Sequence, residues 1–489
     1  MKHELARLDA EVVAETGAGT SKGLPVLPHP SREDRQRRGR AARTSVPLAS
    51  LAQLSPPDPR PDPLGLLEQQ AATRVPELIP IRYGRMLMSP FAFYRGAALL
   101  MASDLSGLPN SGLRTQLCGD AHVSNFGVFG TPERNMVFDV NDFDETLPGP
   151  FEWDVKRLAA SLEIAAREQG FSRKQRRAVV LASALAYRET MRLFARQPNL
   201  VVWYAQLDVD RELRGLLPTL QPDRARLTEE MLAKARTHDS MQAFKKLTTV
   251  VDGKVRIRSQ PPLVVPVQEL LPEQDANELF VQLRSLLRSY RRTLQTDRRH
   301  LLEQFRLVDM ARKVVGVGSV GTRAWVMLLQ GIDDGDPLLL QAKEAQSSVL
   351  EAYVGASSYA NHGARVVAGQ HLMQASSDIF LGWQRAVGVD GVERDYYVRQ
   401  LRDWKGSLPL EQMVPRGMTL YGQVCGWTLA RAHARSGDRT AIAAYLGSSD
   451  AFDQAIADFA TAYADLNEKD YEALKAAVAS GRVTAQTGV

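Results

Sequence analysis

Three side chains early in the sequence have the types and spacing of a phosphoryl-transfer site. The stretch LCGDAHVSNFGVFG, residues 117–130, holds Asp120 and Asn125 five positions apart. MVFDVNDFDET, residues 136–146, then supplies Asp142 beyond an apolar run, with Asp144 and Glu145 close behind. A carboxylate in a loop can accept the proton of a hydroxyl nucleophile. An amide oxygen and a second carboxylate are hard donors of the kind magnesium takes, alongside waters and substrate phosphates. Transfer of a phosphoryl group to a hydroxyl uses this order: an aspartate for the proton, an asparagine five residues on for metal, and an aspartate past a strand for metal. Asp144 is read as a further metal ligand, while Asp139 competes with Asp142. His122 is either catalytic or bonded within its own loop. Each acid taken alone also fits a solvated turn.

A second constellation lies about two hundred residues later. In GVGSVG, residues 316–321, Gly316, Gly318 and Gly321 let the backbone approach an anion, with Ser319 between them. A dinucleotide fingerprint would require a helix directly after the glycines. Here TRAWVMLLQ follows, rich in strand formers, then the turn GIDDGDP and the run PLLLQAKEA. Strand, glycine loop and strand fit a lid over nucleotide phosphates; a glycine-rich hairpin without ligand is the plainer alternative. Alternation in PLLLQAKEA puts Leu338, Leu340 and Ala342 on one face and Leu339, Gln341 and Lys343 on the other. Lys343 is then placed to reach α- and β-phosphates, as the strand-borne lysine of kinases does; a solvated edge lysine is the alternative. Arg82, Arg85 and Arg95 could line the same anionic site or belong to basic surface helices.

These groups need an α+β frame. With 489 residues, 44% hydrophobic and 24% charged, the chain is globular and long enough for two or three lobes. Residues 1–63 hold nine of the 26 prolines, with ten Lys/Arg against seven Asp/Glu in residues 1–60, and read as a disordered or extended tail. Residues 61–489 carry 51 basic and 49 acidic residues, so the pI near 9.1 reflects a basic tail on a nearly neutral body and argues only weakly for a nucleic-acid partner. Two cysteines, no apolar leader and no long apolar run point to a cytoplasmic protein without a membrane partner. Periodicity predicts helices around 151–168, over much of 172–245 and 273–308, and again over the last eighty residues. A hairpin turning on Asp252-Gly253 interrupts them, and strands dominate 311–408.

The early motif resembles the catalytic core of aminoglycoside phosphotransferases and choline-kinase-like enzymes, where the loop reads roughly H-G-D-x-H-x-x-N and the metal motif D-[FW]-[DE]. His122 matches the second histidine, and Cys118 stands where the first would be. EWDVKRLAAS, residues 152–161, resembles the segment whose aspartate, here Asp154, braces the loop. Over most of the chain, SPFAFYRGAA, CGDAHVSNFG, NDFDETLPGPFEWDVKRLAAS, VVGVGSVGTR and LARAHARSGD look like the bacterial family catalogued as domain of unknown function 2252. The first resemblance implies a protein-kinase-like fold in which the glycine loop and lysine precede the catalytic loop. Here they follow it, which implies a circular permutation. The lysine's usual glutamate partner would then be Glu351, or Gln370 in its place.

The resulting expectation is a permuted kinase-like protein. It has a tail (1–63), a helical catalytic lobe (64–310) with a helical insertion at about 172–308, a β-rich nucleotide lobe (311–408) and a helical remainder (409–489). It would transfer a phosphoryl group from ATP, with Mg, to an unidentified hydroxyl substrate. Asp120, Asn125 and His122 would form the catalytic loop, and Asn125, Asp142 and Asp144 the metal site. Gly316, Gly318, Ser319, Gly321 and Lys343 would bind nucleotide, with Asp154, Glu351, Gln370 and Arg95 in support. Nucleotidyl transfer, a nucleotide-binding pseudokinase and, least, a metallophosphoesterase are the alternatives.

Overall fold

The computed structural model describes residues 29–488 apart from 56–57, 217–221, 272–275, 315, 389, 402 and 407–408. The helices that matter for the site are α1 (Arg32–Ser45), α2 (Ile79–Met86), α3 (Pro90–Gly96), α4 (Phe151–Glu168), α5 (Arg173–Phe194), α6 (Ala276–Arg291), α7 (His362–Met373), α8 (Pro415–Ser436), α9 (Arg439–Leu446) and α10 (Ala451–Ala479). The strands are β1 (Arg114–Leu117), β2 (Phe126–Gly130), β3 (Met136–Val140), β4 (Leu147–Pro150), β5 (Leu207–Asp208), β6 (Thr248–Val251), β7 (Lys254–Ile257), β8 (Val264–Pro266), β9 (Arg306–Lys313), β10 (Ala324–Gln330), β11 (Pro337–Ala345), β12 (Gly382–Val387) and β13 (Glu393–Gln400). The fold is mixed α and β, as expected.

One antiparallel sheet in the order β12-β13-β11-β10-β9-β8 carries the late half of the chemistry. β10 pairs with β11 so that Ala324 faces Lys343, and β13 pairs with β11 so that Tyr397 faces Lys343 on the other side. The glycine segment joins β9 to β10. The alternation read from PLLLQAKEA holds: Leu338, Leu340 and Ala342 pack with Leu287 and Tyr290 of α6, whereas Leu339 packs with Ile257 and Val264. Every residue of β11 is buried, so Lys343 has no route to bulk water along its own strand.

The early motif sits between two small sheets, β2-β3-β5 and β1-β4. β4 runs directly into α4, whose residues from Phe151 to Ala166 are all buried. Behind α4, α5 and α8 lie side by side through small residues. A Cβ on Gly426 would sit 2.2 Å from the carbonyl oxygen of Ser183, so the two backbones are in near contact.

The tail needs correction. Residues 1–28 lie outside the described residues, but 32–45, expected to be disordered or extended, form α1. Ser31 and Asp34 close a reciprocal capping box at its start. Gly39 lets it press on α9, where a Cβ would meet the Ala441 carbonyl at 2.0 Å, and Arg43 Nε donates to the Tyr445 carbonyl at 2.6 Å. No helix among the described residues is long and apolar enough to cross a membrane.

The α5–α8 contact is directly testable. Gly426→Val should lower unfolding free energy by about 3 kcal/mol, since neither backbone can yield without losing its neighbours' packing. An unchanged urea midpoint would contradict this close approach.

Candidate functional site

α4 supplies the anchor of the early loop. Asp154, Arg157 and Ser161 lie three and four residues apart, hence on one helical face. Asp154 accepts from the backbone N–H of Cys118 at 2.8 Å and of Gly119 at 3.1 Å. His433 Nε2 lies 3.2 Å from the same carboxylate, and Tyr187 bonds its other ring nitrogen at 2.9 Å. Ser161 Oγ accepts from Val123 N at 2.9 Å. Gly119 has φ +83° and passes so close to the Glu145 carbonyl that a Cβ would sit 2.2 Å from it, which brings the loop against DFDE.

Asp120 is thereby held under Arg157, whose Nε donates to Oδ1 at 2.6 Å while its Nη2 reaches the Tyr94 carbonyl at 2.9 Å. Its other oxygen, Oδ2, is 3.8 Å from His122 Nε2, too long for a hydrogen bond. Burial pushes the Asp120 carboxyl above its ordinary range, against the pull of Arg157. His122 is driven well below the usual imidazole value by burial and then by Arg95 and Arg157, so it is neutral near pH 7. Asp120 therefore has one oxygen engaged by Arg157 and, among the described residues, one without a hydrogen bond.

The metal-ligand candidates separate. Asn141 N donates to the Asn125 carbonyl at 2.8 Å, which seats Asp142 beside the loop. Asn125 Nδ2 donates to the Asp120 carbonyl at 2.7 Å, leaving Oδ1 as its outward acceptor. Asp142 Oδ1 takes only a long bond, 3.3 Å, from Asp144 N, and Oδ2 lies 3.8 Å from Lys343 Nζ. Asp144 is much more heavily engaged. It forms a short ion pair with Lys343, accepts from Tyr397 OH at 2.5 Å and from Ser319 Oγ at 3.3 Å. Asn125 Oδ1 and the Asp142 carboxylate thus remain lightly bonded oxygens that could hold a cation, whereas Asp144 is the lysine's partner. Burial opposes the charge of Lys343, but Asp142 and Asp144 hold its pKa well above the ordinary lysine value.

Neither expected partner of the lysine pairs with it. Glu351 accepts from Ser348 N at 3.0 Å and Ser357 N at 3.3 Å, and lies 3.7 Å from His362. Gln370 Nε2 donates to Gln374 at 3.0 Å. α7 packs on the Lys343 face of the sheet, where Val366 and Val367 share a cluster with Ala345 and Tyr397, yet Lys343 turns to Asp144.

The glycine segment is anchored from outside by the chain before the early motif. Arg85 Nη1 donates to the Gly316 carbonyl at 2.5 Å, Val75 N to the Gly321 carbonyl at 2.8 Å, and Arg74 to the Val320 carbonyl. Gly316 and Gly321 have φ of +64° and +90°, as this backbone path requires. Arg82, by contrast, is wholly buried on Gln70 and the Gly96 carbonyl, away from any anion site. Arg399 bonds the Asn141 carbonyl at 2.9 Å, and Lys405 is pulled down to about 7, first by Arg399 and then by burial. Arg95, Lys343, Arg399 and Lys405 all act on Asp142 or Asp144, so charges of both signs are concentrated where the two halves meet.

The structure brings together Asp120, Asn125, Asp142, Asp144, Ser319 and Lys343. Sequence reasoning missed Arg157, Tyr397, Arg399 and Lys405. The Asp154–Arg157 spacing was a signal for the first. Tyr397 and Arg399 alternate along β13, but only its pairing with β11 reveals that they face the site.

A family model described as "Uncharacterized protein conserved in bacteria (DUF2252)" matches residues 74–477, from Arg74 through the last turns of α10. No curated protein and no solved structure matches the chain.

Two outcomes follow from the geometry. Lys343→Met strands the Asp144 carboxylate, and Asp144→Asn in the same chain should recover much of the loss. A urea double-mutant cycle should give a coupling of roughly 1–3 kcal/mol; additive effects would disprove the pair. Glu145, whose Oε2 accepts from Val349 N at 2.7 Å, is pushed up to about 7, chiefly by burial. A folded value above the unfolded one costs stability as pH rises from about 4.5 through about 7. The decline in Tm over that window should therefore be shallower in Glu145→Gln than in the wild type.

Proposed function

We propose that this chain, which belongs to the bacterial DUF2252 family, is an ATP- and Mg-dependent phosphotransferase of circularly permuted kinase-like fold, acting on a hydroxyl-bearing substrate. The observation that carries this reading is the meeting of two distant segments. Lys343 and Ser319, from the glycine-loop half, both contact Asp144, two residues from Asp142. Permutation is supported by the packing of the chain's late end on its early part: Arg482 pairs with Asp62 and Glu68, and Gln486 N donates to the Pro80 carbonyl at 2.8 Å. Ends held together in this way are what a permuted order needs.

In this mechanism Asp120 Oδ2 takes the proton of the substrate hydroxyl as its oxygen bonds the terminal phosphorus. The bond from that phosphorus to the bridging β–γ oxygen breaks, and ADP leaves. Asn125 Oδ1 and Asp142 are the residues to hold Mg, which when bound offsets the charge developing on the phosphate oxygens. Lys343 exchanges part of its contact with Asp144 for the α- and β-phosphates. The backbone of Gly316 to Gly321 covers them, already anchored by Arg74, Arg85 and Val75.

One observation favours a second reading. A lysine held by Asp144 instead of a helix-borne glutamate permits a different nucleotide pose, and with it nucleotidyl transfer. A metallophosphoesterase is disfavoured, because no group of three or more His, Cys, Asp or Glu among the described residues is arranged to hold a metal.

Calorimetric titration with Mg-ATP checks the site. Asp142→Asn and Lys343→Met should each weaken binding by about tenfold or more. Full affinity in both variants would refute the assignment. Label from γ-phosphate-labelled ATP in the product marks phosphoryl transfer, and label from the α-phosphate marks nucleotidyl transfer. Tight binding with neither would identify a pseudokinase.

A further inference from the structure

Three arginines precede the early motif on α2 and α3, and the structure gives them different tasks. Arg82 is spent in the core and Arg85 on the Gly316 carbonyl. Arg95 differs from both: among the described residues its guanidinium makes no hydrogen bond and no ion pair, and its Nε is shielded from solvent without a partner. A buried guanidinium donor left unpaired costs free energy unless something else fills it.

The main chain fixes where Arg95 stands. The carbonyl before it, of Tyr94, takes the Arg157 Nη2 bond at 2.9 Å, and Arg157 grips Asp120. The carbonyl after it, of Gly96, is held by Arg82 at 3.0 Å. Its own carbonyl lies 3.1 Å from where a Cβ on Gly318 would sit, directly under the glycine segment. Its charge acts on Asp120, Asp142 and His122. Arg95 is therefore bounded by the proton acceptor, the candidate metal ligand and the phosphate-covering loop.

We infer that Arg95 binds the terminal phosphate of the nucleotide and stabilises the charge on its oxygens during transfer, as an arginine finger supplied by the chain itself. The inference rests on the phosphotransferase reading and deepens it. Asn125 and Asp142 would address the phosphate oxygens through the cation and Lys343 the inner phosphates. Arg95 would then supply the remaining donors to the group that moves. A guanidinium suits this better than an ammonium, since its fork can engage two phosphate oxygens at once. Its lack of a protein partner means that no existing bond must break when the phosphate arrives.

The test compares Mg-ATP with Mg-ADP, by calorimetry, on wild type, Arg95→Ala and Arg95→Lys. Arg95→Ala should weaken Mg-ATP by about tenfold or more while Mg-ADP changes by less than about twofold, and Arg95→Lys should regain part of the difference. Retained ADP binding also shows that the variant has folded. Equal losses for both nucleotides, or no loss for ATP, would overturn the assignment and leave the phosphotransferase reading standing. A wild-type protein that bound neither nucleotide would instead overturn that reading, and this one with it.

Discussion

The contact between Lys343 and Asp144 joins residues 199 positions apart, and much of the candidate site depends on it. Lys343 is buried on the fully buried β11, where an uncompensated ammonium would be costly. Asp144 answers that charge, and Tyr397 and Ser319 bind the same carboxylate. One carboxylate therefore gathers a lysine from β11, a tyrosine from β13 and a serine from the glycine segment. Arg365 fastens the stretch from behind, donating to the carbonyls of Asp144, Thr146 and Gln346. Asp142 is left lightly bonded as a consequence, because its neighbour meets the local demand for an anion.

A second constraint comes from the arginines. Glycine segments are inherently loose, since glycine gives up more backbone freedom on ordering than any other residue. Here three of the segment's carbonyls are held by Arg74, Arg85 and Val75 from the helical side. That arrangement places its backbone over the acids before any ligand arrives. The same stretch of chain, residues 74–95, supplies Arg95, so it both holds the loop and presents an unpaired guanidinium.

The two acids of the early loop and DFDE also experience opposite environments. Burial raises the pKa of Asp120 despite Arg157, whereas Lys343 lowers that of Asp144 despite burial. One carboxylate is drawn toward proton acceptance and the other toward permanent charge. In the proposed mechanism this difference separates a base from a fixed counter-ion, although the two motifs look equally acidic in the sequence.

What the sequence by itself determined was local. Alternation in PLLLQAKEA placed Lys343 opposite the apolar face. The Asp-Gly turn marked the hairpin of β6 and β7, and the Asp154 spacing marked the brace of the loop. These follow from periods of two and of about 3.6, which depend only on neighbouring residues. The spacing of Asp120, Asn125 and Asp142 was legible for the same reason. The partner of Lys343 was not: Glu351 is near in sequence, yet α7 and the segment before it direct it to Ser348 and Ser357 instead. Nor could composition show how the Arg-rich stretch 32–45 is held: beyond its local Ser31–Asp34 cap, Gly39 and Arg43 pack on α9 from the far end of the chain. Which arginine stays free, which acid is saturated and which carboxyl is buried are decided by contacts between distant segments. Only the tertiary structure fixes them, because charge compensation in a desolvated interior depends on where chains meet and not on their order.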